Sequence, residues 1–326
     1  MVRRGLLFTA CTLIASPVMA DGIFSLKVEN DLFASGDQDG HYTNGIEGSW
    51  TFNPSNDHWT RRLSHNIPFW SHDKLDAVTY RFGHQMYTPT DIKRSDLIED
   101  DRPYAGYLYG GISLFQDHMG RSLRTSDTLY LDVGIVGPAT GAKHLQKAVH
   151  NVTGSDDPEG WHNQLHNEPT VSLGWNRAWW LRGSLGGLDL EYGPNVGLNL
   201  GNLYDYAATG IGLRFGQDIE HHYGTPGVAP SQSSRSYFTP DATDFGWFGF
   251  VNFEGRYMAH NLLLDGNTFE DSPDVDRREW VGDAQAGVAF NWSRWSLAFT
   301  HVWRTHEFEE QDRSDRFGSL VISTWL

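Results

Sequence analysis

Apolar and polar residues alternate singly along most of this chain, the period of a strand whose two faces meet different surroundings. Segments with that period run near Ile23 to Glu29, Tyr42 to Thr51, Val78 to Thr88, Gly106 to Phe115, Thr128 to Val136 and Thr170 to Arg177. A second set runs near Leu188 to Leu200, Ala207 to Phe215, Trp247 to Tyr257, Trp280 to Phe290, Trp295 to Arg304 and Gly318 to Leu326. The count is twelve, and an even number of antiparallel strands closes a bacterial barrel with both termini on one side. Leu129, Leu131, Val133 and Ile135 alternate with Tyr130, Asp132 and Gly134, as lipid-facing and lumen-facing residues would. Trp179, Trp180, Trp292 and Trp303 stand near strand ends and are expected in the aromatic girdles of a barrel. The expected fold is therefore all-β, a 12-stranded antiparallel transmembrane β-barrel. A soluble β-sandwich would share the alternation, but the even count and the closing Ser323-Thr324-Trp325-Leu326 strand favour the barrel.

One stretch breaks the rhythm. Between Pro138 and Pro169, Ala142 to Val152 has helix-forming composition, with Leu145 and Val149 spaced for one face and Gly154 as a stop. A second short helical piece is expected from Gly160 to Asn167. With both termini periplasmic, connections after odd-numbered strands face outward. Three outward connections, 30–43, 88–104 and 138–169, then carry the polar residues of interest to one rim, whereas the Gly224 to Ser236 stretch reads as a flexible turn.

Residues 1–20 read as an export signal: Arg3 and Arg4, an apolar stretch from Gly5 to Pro17, and Val18-Met19-Ala20 as a small-residue cleavage site. Residues 21–326 would then form the barrel domain. Cys11 leaves with the leader, so disulfides, metal thiolates and a cysteine nucleophile are excluded from the mature chain. Phe8 disfavours a lipoprotein reading of Cys11. Loss of Arg3 and Arg4 takes the formal charge from −16 to −18, which repels nucleic acid and suits a surface where divalent cations bridge phosphates. No apolar run after the leader approaches the ~20 residues a membrane helix needs.

Taken singly, the candidate residues have ordinary explanations. His150 would be a surface histidine, Asn30-Asp31 a turn former, Thr43 a β-favouring residue and Lys93 a solvated charge. Asp37-Gln38-Asp39-Gly40 imitates the front of a calcium loop but lacks its remaining ligands. His162 and His166 lie one helical turn apart without the glutamate of a zinc protease, and His221-His222 falls on the inward side.

Together these residues carry a family resemblance. Val28-Glu29-Asn30-Asp31 with His41-Tyr42-Thr43-Asn44-Gly45, Met86-Tyr87-Thr88-Pro89 with Lys93-Arg94, and Gly134-Ile135-Val136-Gly137-Pro138 followed by Gln146 and His150 resemble the LpxR family of outer-membrane lipid A 3′-O-deacylases. Gly201-Asn202-Leu203 and the terminal Phe317-Gly318 strand extend the likeness over nearly the whole mature chain. The resemblance implies a twelve-stranded barrel in the Gram-negative outer membrane, acting as a monomer on lipid A within lipopolysaccharide. It implies calcium-dependent hydrolysis of the ester holding the 3′ acyloxyacyl group. His150 would activate water, Lys93 and calcium would stabilise the oxyanion, and Asn30, Asp31 and Thr43 would build the metal-binding and substrate-orienting part. Gln146, one turn before His150, would face the same cavity. Asp31 is the first expected calcium ligand and Asp156 the second, in place of the family's glutamate, with Asp157 or Glu159 able to substitute. Histidine and a hard cation suit this chemistry, since a base needs a pKa near the working pH and calcium takes oxygen ligands. Two rival readings are a non-catalytic barrel, either channel or adhesion scaffold, and an outer-membrane phospholipase, for which no serine accompanies His150 in a recognisable motif.

Overall fold

The structure, a computed structural model, describes residues 21–34, 41–67, 70, 75–227, 237–239 and 245–326. The expected leader, the Asp37 to Gly40 turn and most of the Gly224 to Ser236 stretch lie outside the described residues. Twelve strands close one antiparallel barrel. They are β1 (Gly22–Asn30), β2 (His41–Phe52), β3 (Ala77–Thr88), β4 (Ala105–Met119), β5 (Leu123–Val136), β6 (Glu168–Leu185), β7 (Leu188–Gly201) and β8 (Tyr204–Gln217), with a short helix α1 (Trp59–Ser64) between β2 and β3. After a two-stranded hairpin of β9 (His222–Tyr223) and β10 (Tyr237–Phe238) come β11 (Gly246–Asn261), β12 (Trp280–Trp292), β13 (Trp295–Arg304) and β14 (Asp315–Trp325). Barrel neighbours follow chain order, and β1 pairs with β14 from Ile23↔Trp325 to Asn30↔Gly318, which leaves no open edge. No described helix is long and apolar enough to cross a membrane. All twelve expected strands are present, several of them longer than the alternation alone marked: β6 continues to Leu185 and β5 begins at Leu123.

The alternation divides an apolar exterior from a polar interior. On β5, Leu131 and Val133 are exposed, whereas Tyr130 and Asp132 are buried in the lumen. The lumen is filled with paired charges: Asp283 accepts from Arg304 at 2.9 Å and from Arg256 at 2.9 Å, and Lys27 pairs with Glu29 at 3.2 Å. Arg81 joins Asp132 and Glu47, and Arg214 joins Glu191. A buried charge is tolerated only with such partners, because desolvation otherwise costs several kcal/mol per ion. Towards the outer end, Tyr42, Tyr87, Tyr107, Tyr109, Tyr204 and Tyr206 lie in one buried cluster. Towards the inner end, Tyr223 and Tyr237 stack at 5.0 Å and close on Phe115. Between these layers remain small cavities of about 60 Å³ and 40 Å³.

Two expectations are corrected here. Trp180 does not join an interfacial girdle; it is 4% exposed and stacks against the Arg214 guanidinium at 4.5 Å, because its position on β6 has the lumen-facing parity of Ser172 and Asn176. Trp292 and Trp303 are exposed as expected. The second helical piece shrinks to a single 3-10 turn, Trp161–Asn163, because Leu165 turns its amide to the Tyr104 carbonyl instead of continuing the helix.

Candidate active site on the outer face of the barrel wall

Directly paired residues on neighbouring strands share a face. Asn30 pairs with Asn44, Asn44 with Met86, and Met86 with Gly106, so these four form one row across β1 to β4 at the outer rim. Below it on the same face lie Val28, Ile46, His84 and Leu108, then Leu26, Gly48, Phe82 and Gly110. Ile46 is 43% and Phe82 64% exposed, which identifies this as the lipid-facing side of the wall. Asn30 and its neighbours therefore stand outside the barrel, above the apolar belt, and not in the lumen.

Local structure turns the side chains into this row. The β2–β3 register shifts between Tyr42 and Asn44, making Thr43 the extra residue of a bulge, a device that re-aims side chains beside functional sites. Thr43 Oγ1 lies 2.8 Å from Thr88 Oγ1, and its carbonyl accepts from Asn30 Nδ2 at 2.9 Å. Asn30 Oδ1 is the acceptor of this side chain. Asp31 follows as the first residue of a 3-10 turn, and it is buried.

The third outer connection folds back over this face. Gly106 has no side chain to keep it away: a Cβ there would come within 2.1 Å of Thr140 Oγ1 and 2.6 Å of Ala142 Cβ. Thr140 leads into helix α2 (Ala142–Thr153), the helix expected from the sequence, and Ala142 joins Met86, Ile92, Tyr104 and Trp161 in one buried cluster. Ala142, Gln146 and His150, spaced one turn apart, are the buried face of α2. Gln146 and His150 are thus presented on the helix face that meets the wall, and Met86 links this half of the site to the Asn30 row.

Past α2, Gly154 adopts a left-handed φ of 77° and its amide donates to the His150 carbonyl at 2.8 Å. This ending, which favours glycine because other residues clash at positive φ, reverses the chain. The reversal brings the Asp156 carbonyl 2.5 Å from His150 Nδ1. A carbonyl only accepts, so Nδ1 carries the proton and Nε2 is the basic nitrogen. Asp156 turns its carboxylate the other way, to Lys93 Nζ at 2.7 Å; both groups are mostly exposed. Lys93 is held from behind, since Ile92 accepts from Tyr104 Oη at 3.2 Å and from the Glu159 amide at 2.9 Å. Gln146 Oε1 accepts from Trp161 Nε1 at 2.6 Å, whereas its buried Nε2 makes no hydrogen bond.

His150, Lys93, Asp156 and Gln146 are thus held together by α2 and the chain reversal after it, and Asn30, Asp31 and Thr43 belong to the wall and the turn that follows β1. Sequence reading did not single out Asn44, Thr88, His84 or Trp161. Asn44 and Thr88 stood inside the matched segments without a role, and His84 is buried on the outer wall below Met86. His166 Nδ1 faces Glu270 at 3.4 Å. His222 is buried against Asn291 at 3.0 Å on the inward side, as loop parity requires.

Among the described residues no group of three or more histidine, cysteine or acidic side chains could hold a metal. A cation here would draw on Asp31, Asn30 Oδ1, carbonyls and water, an all-oxygen set that fits calcium in kind. Asp156 is engaged by Lys93.

A family model described as Outer membrane protein LpxR matches residues 6–326. No curated protein sequence matches. Among solved structures, LpxR from Salmonella typhimurium is similar with a TM-score of 0.77 at 18% identity, covering 93% of this chain and 100% of that chain. The β domain of the Bordetella autotransporter Brka matches loosely, with a TM-score of 0.45 at 10% identity over 94% of this chain and 100% of its own.

Proposed function

This chain belongs to the LpxR family and lies in the outer membrane, and from that premise we propose that it is a lipid A deacylase hydrolysing the ester of the 3′ acyloxyacyl group. The observation that carries the reading is the docking of α2 on the lipid-facing side of the wall beside the Asn30 row, with a histidine of fixed tautomer on its buried face. An ester carried by an outer-leaflet lipid lies at that level. The channel alternative gains nothing from a lumen filled by charged pairs and tyrosines.

In the proposed reaction, Nε2 of His150 takes a proton from a water as its oxygen attacks the acyl carbonyl carbon. The carbonyl electron pair moves onto oxygen, and Lys93 Nζ stabilises that charge. As the oxyanion reforms the carbonyl, the bond between the acyl carbon and the sugar oxygen breaks and the imidazolium gives its proton to that oxygen, leaving a free acid and a sugar hydroxyl. Asn30, Asp31 and Thr43 would hold calcium and orient substrate; when bound, calcium supplies further positive charge to the oxyanion. Gln146 Nε2, a buried donor without a protein acceptor, is suited to hold the attacking water or the substrate.

The test is mass spectrometry of lipid A from cells making the wild type or His150→Ala. The wild type is expected to remove the 3′-linked group, chelation to stop it, and His150→Ala to lose activity by about 10²-fold or more. Unaltered lipid A beside folded wild type would overturn the proposal.

A further inference from the structure

Helix α2 is amphipathic in an unusual sense: Gln146 and His150 lie on its buried face, and Leu145 and Val149 do not. Gln146 is 1% and His150 6% exposed, but Leu145 is 40% and Val149 48% exposed. At about 100° per residue, Leu145 and Val149 project roughly 60–100° to one side of the Gln146 direction, and Lys143 and Lys147 by a similar angle to the other. With the Ala142–Gln146–His150 face against the wall, one edge of the helix is apolar and the opposite edge cationic. Ala142 anchors the helix beside Met86, directly above the exposed lipid-facing residues Ile46 and Phe82.

We propose that α2 is an interfacial helix lying along the outer leaflet, with Leu145 and Val149 among lipid acyl chains and Lys143 and Lys147 at the level of the anionic headgroups. Apolar side chains on one edge and lysines on the other are what such a surface selects. The bilayer would then close over the edge of α2 that carries Leu145 and Val149, and His150 would be held at the depth where acyl chains are esterified. This last step rests on the deacylase reading; the membrane contact itself does not.

The test places single cysteines at 145, 149, 143 and 147 in a Cys11→Ser background, labels them with an environment-sensitive fluorophore, and reconstitutes the full chain in dioleoylphosphatidylcholine vesicles. A fraction of the lipid carries an acyl-chain nitroxide. Labels at 145 and 149 should emit to the blue and be quenched several-fold more strongly than labels at 143 and 147, which a water-soluble quencher should reach instead. Heat-modifiable gel migration verifies that each labelled barrel is folded, and either apolar position suffices as a probe. Labels at 145 and 149 that escape the nitroxide, whether open to water or shielded by a second copy of the chain, would overturn the proposal. Because the readout is not enzymatic, its failure is distinguishable from loss of deacylase activity.

Discussion

His150 Nδ1 and the Asp156 carbonyl oxygen, 2.5 Å apart, are brought together by one glycine: the left-handed turn at Gly154 ends α2 and sends the chain back along it. The same short segment then offers the Asp156 carboxylate to Lys93. One reversal thus fixes the tautomer of the base and the position of a cation.

Gly154→Ala tests this dependence. A Cβ at Gly154 would meet nothing within 4 Å, so the cost is conformational, about 1–2 kcal/mol for a left-handed non-glycine residue. The barrel does not draw on this turn. Thermal unfolding should stay nearly unchanged while deacylation falls, by up to about 10²-fold if the imidazole is displaced by an ångström. Steady-state kinetics beside a melting curve checks both halves, and full activity would show that the reversal does not position His150.

Lys93 and Asp156 predict a pH signature. The hydrogen bond to Asp156 and its negative charge hold the Lys93 pKa above the ordinary lysine value. The ammonium therefore persists to higher pH than that of an isolated lysine, and activity that needs it declines only beyond that point. In Asp156→Asn the alkaline limb should move down toward the ordinary value of about 10.4. Stability should hardly change, since exposed ion pairs contribute little. A pH–rate profile of the two proteins is the measurement; coincident alkaline limbs would remove Lys93 from the mechanism.

Asp283 should matter for stability and not for chemistry. It is buried in the lumen and accepts from both Arg256 and Arg304. Asp283→Ala leaves two guanidinium groups short of a partner, a loss expected to cost about 3–5 kcal/mol. Unfolding in detergent, followed by heat-modifiable gel migration, should shift to lower temperature, with activity per folded molecule retained.

The sequence by itself determined the twelve strands, the apolar exterior, helix α2 and its glycine stop, since these follow from periods of two and 3.6 residues and from the conformational freedom of glycine. Its alternation also showed that each strand has two different faces. It could not show where the loops come to rest. Leu145 and Val149 carry the spacing of a buried helix face, yet the tertiary structure buries Gln146 and His150 instead, because Gly106 lets Ala142 dock on the outside of the wall. Trp180 reads like its neighbour Trp179 but turns inward onto Arg214. Contacts between residues far apart in the chain decided that the candidate site lies outside the barrel, at the lipid, and local pattern holds no record of such contacts.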